Sequence, residues 1–289
     1  MVFKINTFFE DIFPRIADYG IYALAIQKYV YSMIKTYTDD LRVNTALTDA
    51  DFMVQEGLLR TFIDKGYIFS IFAEENSPYN EKFPLENDIL VTLDPIDETL
   101  AYMNNLPNFC ITLGVFNRGT LEGALIHTPA YEKCYCASIE DENSWMWEKN
   151  SKKSNEYIKS HFSFTQQRNN IVVTYKSPDK VVNKLENLGV KVYRAENNAS
   201  LEGITIHSIL RGEIAAFFRT NAPAIDWAQI TLIMEKGGGM VTDYDGNKNE
   251  IFQYWNRKDK WSDSRIPSLV VSANKGIHEK ILRVVGNER

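Results

Sequence analysis

The stretch Leu93-Asp94-Pro95-Ile96-Asp97-Glu98-Thr99 constrains this chain more than any other. The apolar run Ile89-Leu90-Val91 before it reads as a buried strand, and Leu100-Ala101-Tyr102-Met103 after it opens a helix. Two carboxylates three residues apart therefore stand where a strand hands over to a helix N-terminus. Such a junction offers hard oxygen ligands to a cation and backbone N–H groups to an anion. The reaction class this suggests is metal-assisted chemistry on a phosphate ester.

Around this junction the spacing of apolar residues predicts a layered α/β chain. Residues 8–37 read as one long helix, bent at Pro14 or Gly20, with Phe9, Ile12, Phe13, Ile16, Ala23, Ile26, Val30 and Ile34 on its apolar side. Residues 38–48 form a polar connection, and residues 49–65 are helical again, capped by Gly66. Strands are expected at residues 68–73, 110–116, 121–126 and 133–137, with a hairpin turn at Asn117-Arg118-Gly119-Thr120. Residues 139–168 are polar and patternless and mark the expected seam between an N-terminal α+β subdomain (1–150) and a C-terminal α/β subdomain (151–289). Beyond it, strands at 171–174, 190–193, 214–218, 240–243 and 268–272 alternate with helices at 179–188, 199–210, 226–236 and 275–284.

Five acidic sites stand at element ends: Asp51, Glu74 with Glu75, Asp94, Asp97 and Asp226. Singly, each has a plain structural explanation. Asp97 and Asp226 make good helix caps, and Glu74-Glu75 reads equally as a solvated loop. Jointly they suggest carboxylates gathered at one sheet edge, where open α/β folds place ligands. His127, His161, His207 and His278 show no ligand spacing, which argues against zinc. Oxygen ligands alone point to Mg²⁺, with Mn²⁺ or Ca²⁺ as substitutes.

The net charge of −6 argues against general affinity for a nucleic-acid polymer and leaves room for a small anionic ligand received by cations. Cys110, Cys134 and Cys136 read as reduced, packed thiols. No leader-like N-terminus and no membrane-length apolar run is visible, so a cytoplasmic enzyme without a membrane partner is expected. Gly237-Gly238-Gly239 lacks the spacing of a dinucleotide or phosphate-binding loop and reads as a helix end.

These residues, in order along nearly the whole chain, resemble the inositol monophosphatase-like family of Mg²⁺-dependent, lithium-sensitive phosphatases. The family's Asp-Pro-Ile-Asp-Gly-Thr appears as Asp94-Pro95-Ile96-Asp97-Glu98-Thr99, and its Gly-Glu-Glu-Ser resembles Ala73-Glu74-Glu75-Asn76. Its Thr-x-x-Asp helix start resembles Thr48-Asp49-Ala50-Asp51, and its Trp-Asp-x-Ala helix resembles Ile225-Asp226-Trp227-Ala228 running to Gly238-Gly239. The resemblance implies a five-layered αβαβα sandwich of the sugar-phosphatase type with the site between its halves. It implies that Glu74, Asp94 and the Ile96 carbonyl hold one Mg²⁺ and that Asp94, Asp97 and Asp226 hold a second. Thr99, hydrogen-bonded to Asp51, would orient the attacking water; Glu74 would support that water and a weaker third ion. The N–H groups of Glu98 and Thr99 would receive phosphate oxygens. The partner implied is a small phosphorylated metabolite, and family members often form homodimers.

Three departures bear on substrate. Glu98 replaces the family's glycine, and either points to solvent, serves as an extra metal ligand, or blunts the activity. Arg219 stands seven residues before Asp226, where inositol phosphatases often carry an acid that bonds sugar hydroxyls. Asn197, followed by Asn198, stands near the polyol where the family usually has glycine. A bisphosphate, either a sugar bisphosphate or a 3′-phosphoadenosine nucleotide, thus rivals a monophosphate as substrate, and a metabolite-binding protein weakened in catalysis by Glu98 is the alternative from another class.

Overall fold

Helix α1 (Ile5–Ile26) buries Ile5, Phe8, Phe9, Ile12, Phe13, Ile16, Ala17 and Ala23, a repeat of three- and four-residue steps that lays one apolar stripe on the core. In the computed structural model, which describes residues 3–29, 32–34, 46–153, 156–164, 169–195, 204–248 and 265–286, α1 passes through Pro14 and Gly20 and ends at Ile26. This corrects the single helix expected to residue 37. A 3-10 turn covers Gln27–Tyr29, and Ile34 lies in strand β1 (Ser32–Ile34), paired with Ala46 of β2 (Ala46–Thr48). Tertiary bonds end the helix. Tyr102 Oη donates to the Ala23 carbonyl at 2.6 Å, and Gln27 Nε2 donates to the carbonyls of Tyr102 and Leu106 at 3.0 and 2.9 Å. A last-turn carbonyl that would otherwise lack a partner is thereby satisfied.

Helix α2 (Asp49–Asp64) starts and ends where its spacing predicts, with Gly66 beyond it in the left-handed region at φ 73°. Then come β3 (Ser70–Ala73), β4 (Ile89–Asp97) and the five-residue helix α3 (Thr99–Met103). Strands β5 (Cys110–Asn117) and β6 (Thr120–Thr128) form the expected hairpin, with positive φ at both Arg118 and Gly119. Strands β7 (Lys133–Ser138), β8 (Ser144–Lys149) and β9 (Tyr157–Phe162) continue the meander. Strands β8 and β9 occupy much of the stretch expected to be a seam, so the first sheet runs on past residue 150. The edge strand β9 carries no buried side chain and hence no alternation for the sequence to show.

The second half contains β10 (Ile171–Thr174), α4 (Asp179–Asn187), β11 (Lys191–Arg194), β12 (Ala216–Pro223), α5 (Ala224–Lys236), β13 (Met240–Thr242), β14 (Arg265–Ser272) and α6 (Lys275–Val285). Of the helix expected over residues 199–210, the described part is a 3-10 turn at Ile206–Ile209. Among the described residues the strands form a seven-stranded sheet in sequential order from β3 to β9, a five-stranded sheet ordered β11-β10-β12-β14-β13, and the β1–β2 pair.

Helices α1 and α2 pack on the outer side of the first sheet, and α4 and α6 pack on the second. Helix α5 lies between the sheets, touching β4 to β8 on one side and β12 to β14 on the other. The layer order is therefore αβαβα, as expected. A helix held from both sides should be apolar all round. Trp227, Ala228, Ile230, Leu232, Ile233 and Met234 are all buried. Gln229, also buried, donates to Thr92 Oγ1 at 3.1 Å and pins α5 to β4. Gly114 permits this approach: a Cβ there would lie 2.7 Å from Thr92 Oγ1 and 3.1 Å from Gln229 Nε2. The three cysteines are buried and free, as expected. Among the described residues no helix is long and apolar enough to cross a membrane.

Candidate active site

In a regular strand, Asp94 and Asp97 would face opposite sides of the sheet. The pairing with β5 shifts between them: Asp94 stands opposite Thr112 and Asp97 opposite Cys110, so three steps on β4 match two on β5. This bulge at Pro95-Ile96 turns both carboxylates toward one side. The Ile96 N–H donates to Asp94 Oδ1 at 3.1 Å and fixes that carboxyl group. Strand β3 runs parallel to β4 with Ala73 opposite Leu93, and the Glu74 N–H donates to the Leu93 carbonyl at 3.0 Å. Glu74 is thereby delivered beside Asp94, with which it shares a hydrogen bond. From the other half, Pro223 turns β12 into α5 and sets Asp226 in the first turn of that helix.

The electrostatics show that these groups meet. Burial pushes Asp94 well above the carboxylate range, and Glu74, Asp97 and Asp226 push it further. Burial likewise raises Asp97, reinforced by Glu98, Asp226 and Glu74. Asp226 is lifted to about 7 by burial and then by Glu74, against the pull of Arg219 and Arg265. Acids crowded in this way cannot all ionise unless a cation joins them.

Asp51 is fully buried, and burial followed by the charges of Glu74 and Glu75 raises it to about 7 against the lowering bonds from Thr48. Its Oδ2 accepts from Thr48 N–H at 2.9 Å and from Thr48 Oγ1 at 2.5 Å, while its buried Oδ1 has no partner among the described residues. The expected Asp51–Thr99 bond is absent. Thr99 Oγ1 donates instead to the Ile96 carbonyl at 2.9 Å, because α3 starts directly on the bulge. Glu74-Glu75 is no solvated loop: Gln55 donates to the Glu75 carbonyl at 2.7 Å and accepts from the Glu75 N–H at 2.9 Å.

Glu98 has φ 68° and ψ 44°, the left-handed conformation that glycine adopts without strain. Its side chain lines a cleft of about 280 Å³ together with Asp97 and Asp226, and burial with the charge of Asp226 raises it to about 7. The first of the three expectations, that it points away to solvent, is thus overturned. Its N–H, expected to receive phosphate, donates to the Asp97 carboxylate. We expect Glu98→Gly to relieve the backbone and remove a negative charge from the cleft, so that kcat/KM for a phosphate ester equals or exceeds that of the parent. A large loss in steady-state kinetics would show that Glu98 contributes directly.

Arg219, Tyr175 and Trp227 line the same cleft. Asn197 and Asn198 lie outside the described residues. His207 escaped the sequence reading, since a lone histidine in an apolar stretch carries no signal. It is fully buried, with Nε2 3.2 Å from Asp97 Oδ2, although without the alignment of a hydrogen bond. Burial and then Arg211 hold its pKa down to about 3, so the imidazole stays neutral.

Among the described residues no three His, Cys, Asp or Glu side chains close into a ready coordination shell. The donor set nevertheless fits a hard divalent cation. All its atoms are oxygens, Asp94, Asp97 and Asp226 have raised proton affinity that a cation would oppose, and Asp97 Oδ2 is a buried oxygen without a hydrogen-bond partner among the described residues.

Two sheets clasping a central helix, with an acid-lined cleft between the halves, define a phosphatase fold of the layered α/β class. The chain belongs to the inositol monophosphatase family, whose model matches residues 19–289. It is 22% identical over 247 residues to a fructose-1,6-bisphosphatase/inositol-1-monophosphatase of Thermotoga maritima, covering 86% of each chain. It is 23% identical over 210 residues to the Nus factor SuhB of Escherichia coli, covering 71% of this chain and 74% of that one. Its fold matches that of an IMPase/NADP phosphatase crystallised with Mg²⁺ and phosphate, with TM-score 0.67 and 18% identity over 97% of this chain and 95% of that one.

Proposed function

We propose that the chain hydrolyses a small phosphate monoester with Mg²⁺ held among its clustered carboxylates. One observation carries this reading: Asp94 and Asp97 on β4, Glu74 just after β3 and Asp226 in the first turn of α5 interact with one another, and Asp94, Asp97 and Asp226 all have raised proton affinity. Glu74, Asp94 and the Ile96 carbonyl would hold one ion, and Asp94, Asp97 and Asp226 a second. The ions would supply positive charge for the phosphoryl oxygens and a lowered pKa for the attacking water. Thr99 Oγ1, which spends its own proton on the Ile96 carbonyl, is left to accept a hydrogen bond from that water. The Glu74 carboxylate would take the proton as water oxygen bonds phosphorus and the ester P–O bond breaks, and the leaving alkoxide would take a proton from solvent water to depart as the alcohol. Asp51, with Oδ1 unfilled, stands behind Glu74 as a further acceptor. The acidic balance of the chain, at −6, favours a small metabolite over a nucleic-acid polymer as partner.

The test is release of inorganic phosphate from a panel of monophosphates and bisphosphates by the purified chain, with Mg²⁺, with Ca²⁺ and with EDTA. Mg²⁺-dependent release that Li⁺ suppresses is expected. No release from any ester in Mg²⁺ or Mn²⁺ would replace hydrolysis with metabolite binding.

A further inference from the structure

Resting on that phosphomonoesterase reading, we propose that Arg219 forms a second-anion subsite in the cleft, so that the substrate is a small bisphosphate whose other phosphate Arg219 receives. The Arg219 guanidinium carbon lies 4.4 Å from the Tyr175 ring centroid and 4.9 Å from that of Trp227. Strand β12 supplies the arginine, the loop after β10 supplies Tyr175, and α5 supplies Trp227. Two ring faces hold the planar head, and its N–H groups, which lie in its own plane, remain at the edges.

Those N–H groups are poorly used. Two of them donate at 3.4 Å to the carbonyls of Thr220 and Asn221. Among the described residues no carboxylate reaches ion-pair distance of Arg219. A guanidinium carries five donors in a fork that matches phosphate, so a clamped fork, mostly unfilled among the described residues, lines the cleft. Arg265, opposite Pro223 in the β12–β14 pairing, adds a second positive charge that both Arg219 and Asp226 feel.

The cleft therefore presents both signs of charge, with Asp97, Glu98, Asp226 and Arg219 all in its lining. A monophosphate needs only the acids once cations join them. An arginine clamped by two rings and with few hydrogen bonds is suited to a further charged group, and the cleft volume of about 280 Å³ suits a small polyol bearing two phosphates.

The experiment compares the parent chain with Arg219→Ala and Arg219→Lys, using fructose 1,6-bisphosphate, phosphoglycerate and β-glycerophosphate as probes. Turnover is followed in Mg²⁺, and binding of the same three compounds is followed by calorimetry in Ca²⁺. Arg219→Ala should raise both KM and Kd for the bisphosphate roughly tenfold more than for β-glycerophosphate, the loss of about one charge-assisted contact, with Arg219→Lys between the two. A selective effect on phosphoglycerate but not on the bisphosphate would assign the subsite to a carboxylate and overturn the proposal. Equal effects on all three probes would also overturn it. Because binding is read apart from turnover, Arg219-dependent binding without phosphate release would sink the hydrolytic reading alone. Phosphate release without Arg219 dependence would sink the subsite alone.

Discussion

Asp94→Asn should lower Mg²⁺-dependent turnover by about three powers of ten or more, since losing a carboxylate shared by two cations removes several kcal/mol of charge stabilisation. The substitution is nearly isosteric. The introduced amide oxygen would still accept from the Ile96 N–H, which Asp94 Oδ1 meets at 3.1 Å, so the bulge keeps its shape. Without metal the buried Asp94 holds a proton, so a neutral amide replaces a neutral acid; what is lost is the negative charge that a cation would draw out. The metal-free variant should therefore melt no lower than the parent. Steady-state kinetics and a thermal melt in EDTA check the two halves separately. Retained Mg²⁺-dependent turnover would remove Asp94 from the site; a fall in melting temperature would mean that its charge stabilises the fold.

The second large effect is on stability against pH. Asp51 and Asp226 rise from an ordinary 3.8 to about 7, and Glu98 rises from 4.5 to about 7. Folded pKa values above the unfolded ones mean that the native chain holds more protons across that interval. Stability then falls as pH rises through it, and the contribution of these groups is greatest below about pH 4. In EDTA the melting temperature should drop between about pH 5 and about pH 8. Mg²⁺ should restore more at the higher pH, because a cation binds the ionised form and displaces the protons. Differential scanning calorimetry at the two pH values, with and without Mg²⁺, makes the comparison. A metal-free melting temperature that is flat or rising over this range would refute the burial of these acids.

The candidate site was largely legible because its acids sit at or near element boundaries, where strand and helix periodicities both break. Asp94, Asp97 and Asp226 could be placed from those breaks alone. Their convergence could not, since it depends on a one-residue bulge that shifts register without altering composition. The end of α1 was missed for a related reason: its terminal contacts come from Tyr102 and Leu106, far along the chain, while the apolar spacing continues. Strand β9 was invisible because an edge strand with no buried side chain shows no alternation. His207 gave no hint, as its relation to Asp97 exists only in three dimensions. Glu98 is anomalous against the resemblance, and its positive φ supplies the reason a glycine suits that position.

Helix α5 has a consequence for how the molecule comes apart. It shields the inner surface of both sheets at once and begins with Asp226 in its first turn. A fragment ending after β9 would expose the greasy side of its sheet to water, and the remainder would lose the wall against which that helix leans. The cleft and the molecular interior thus share one helix, so damage to either half would shift Asp226 away from the other acids.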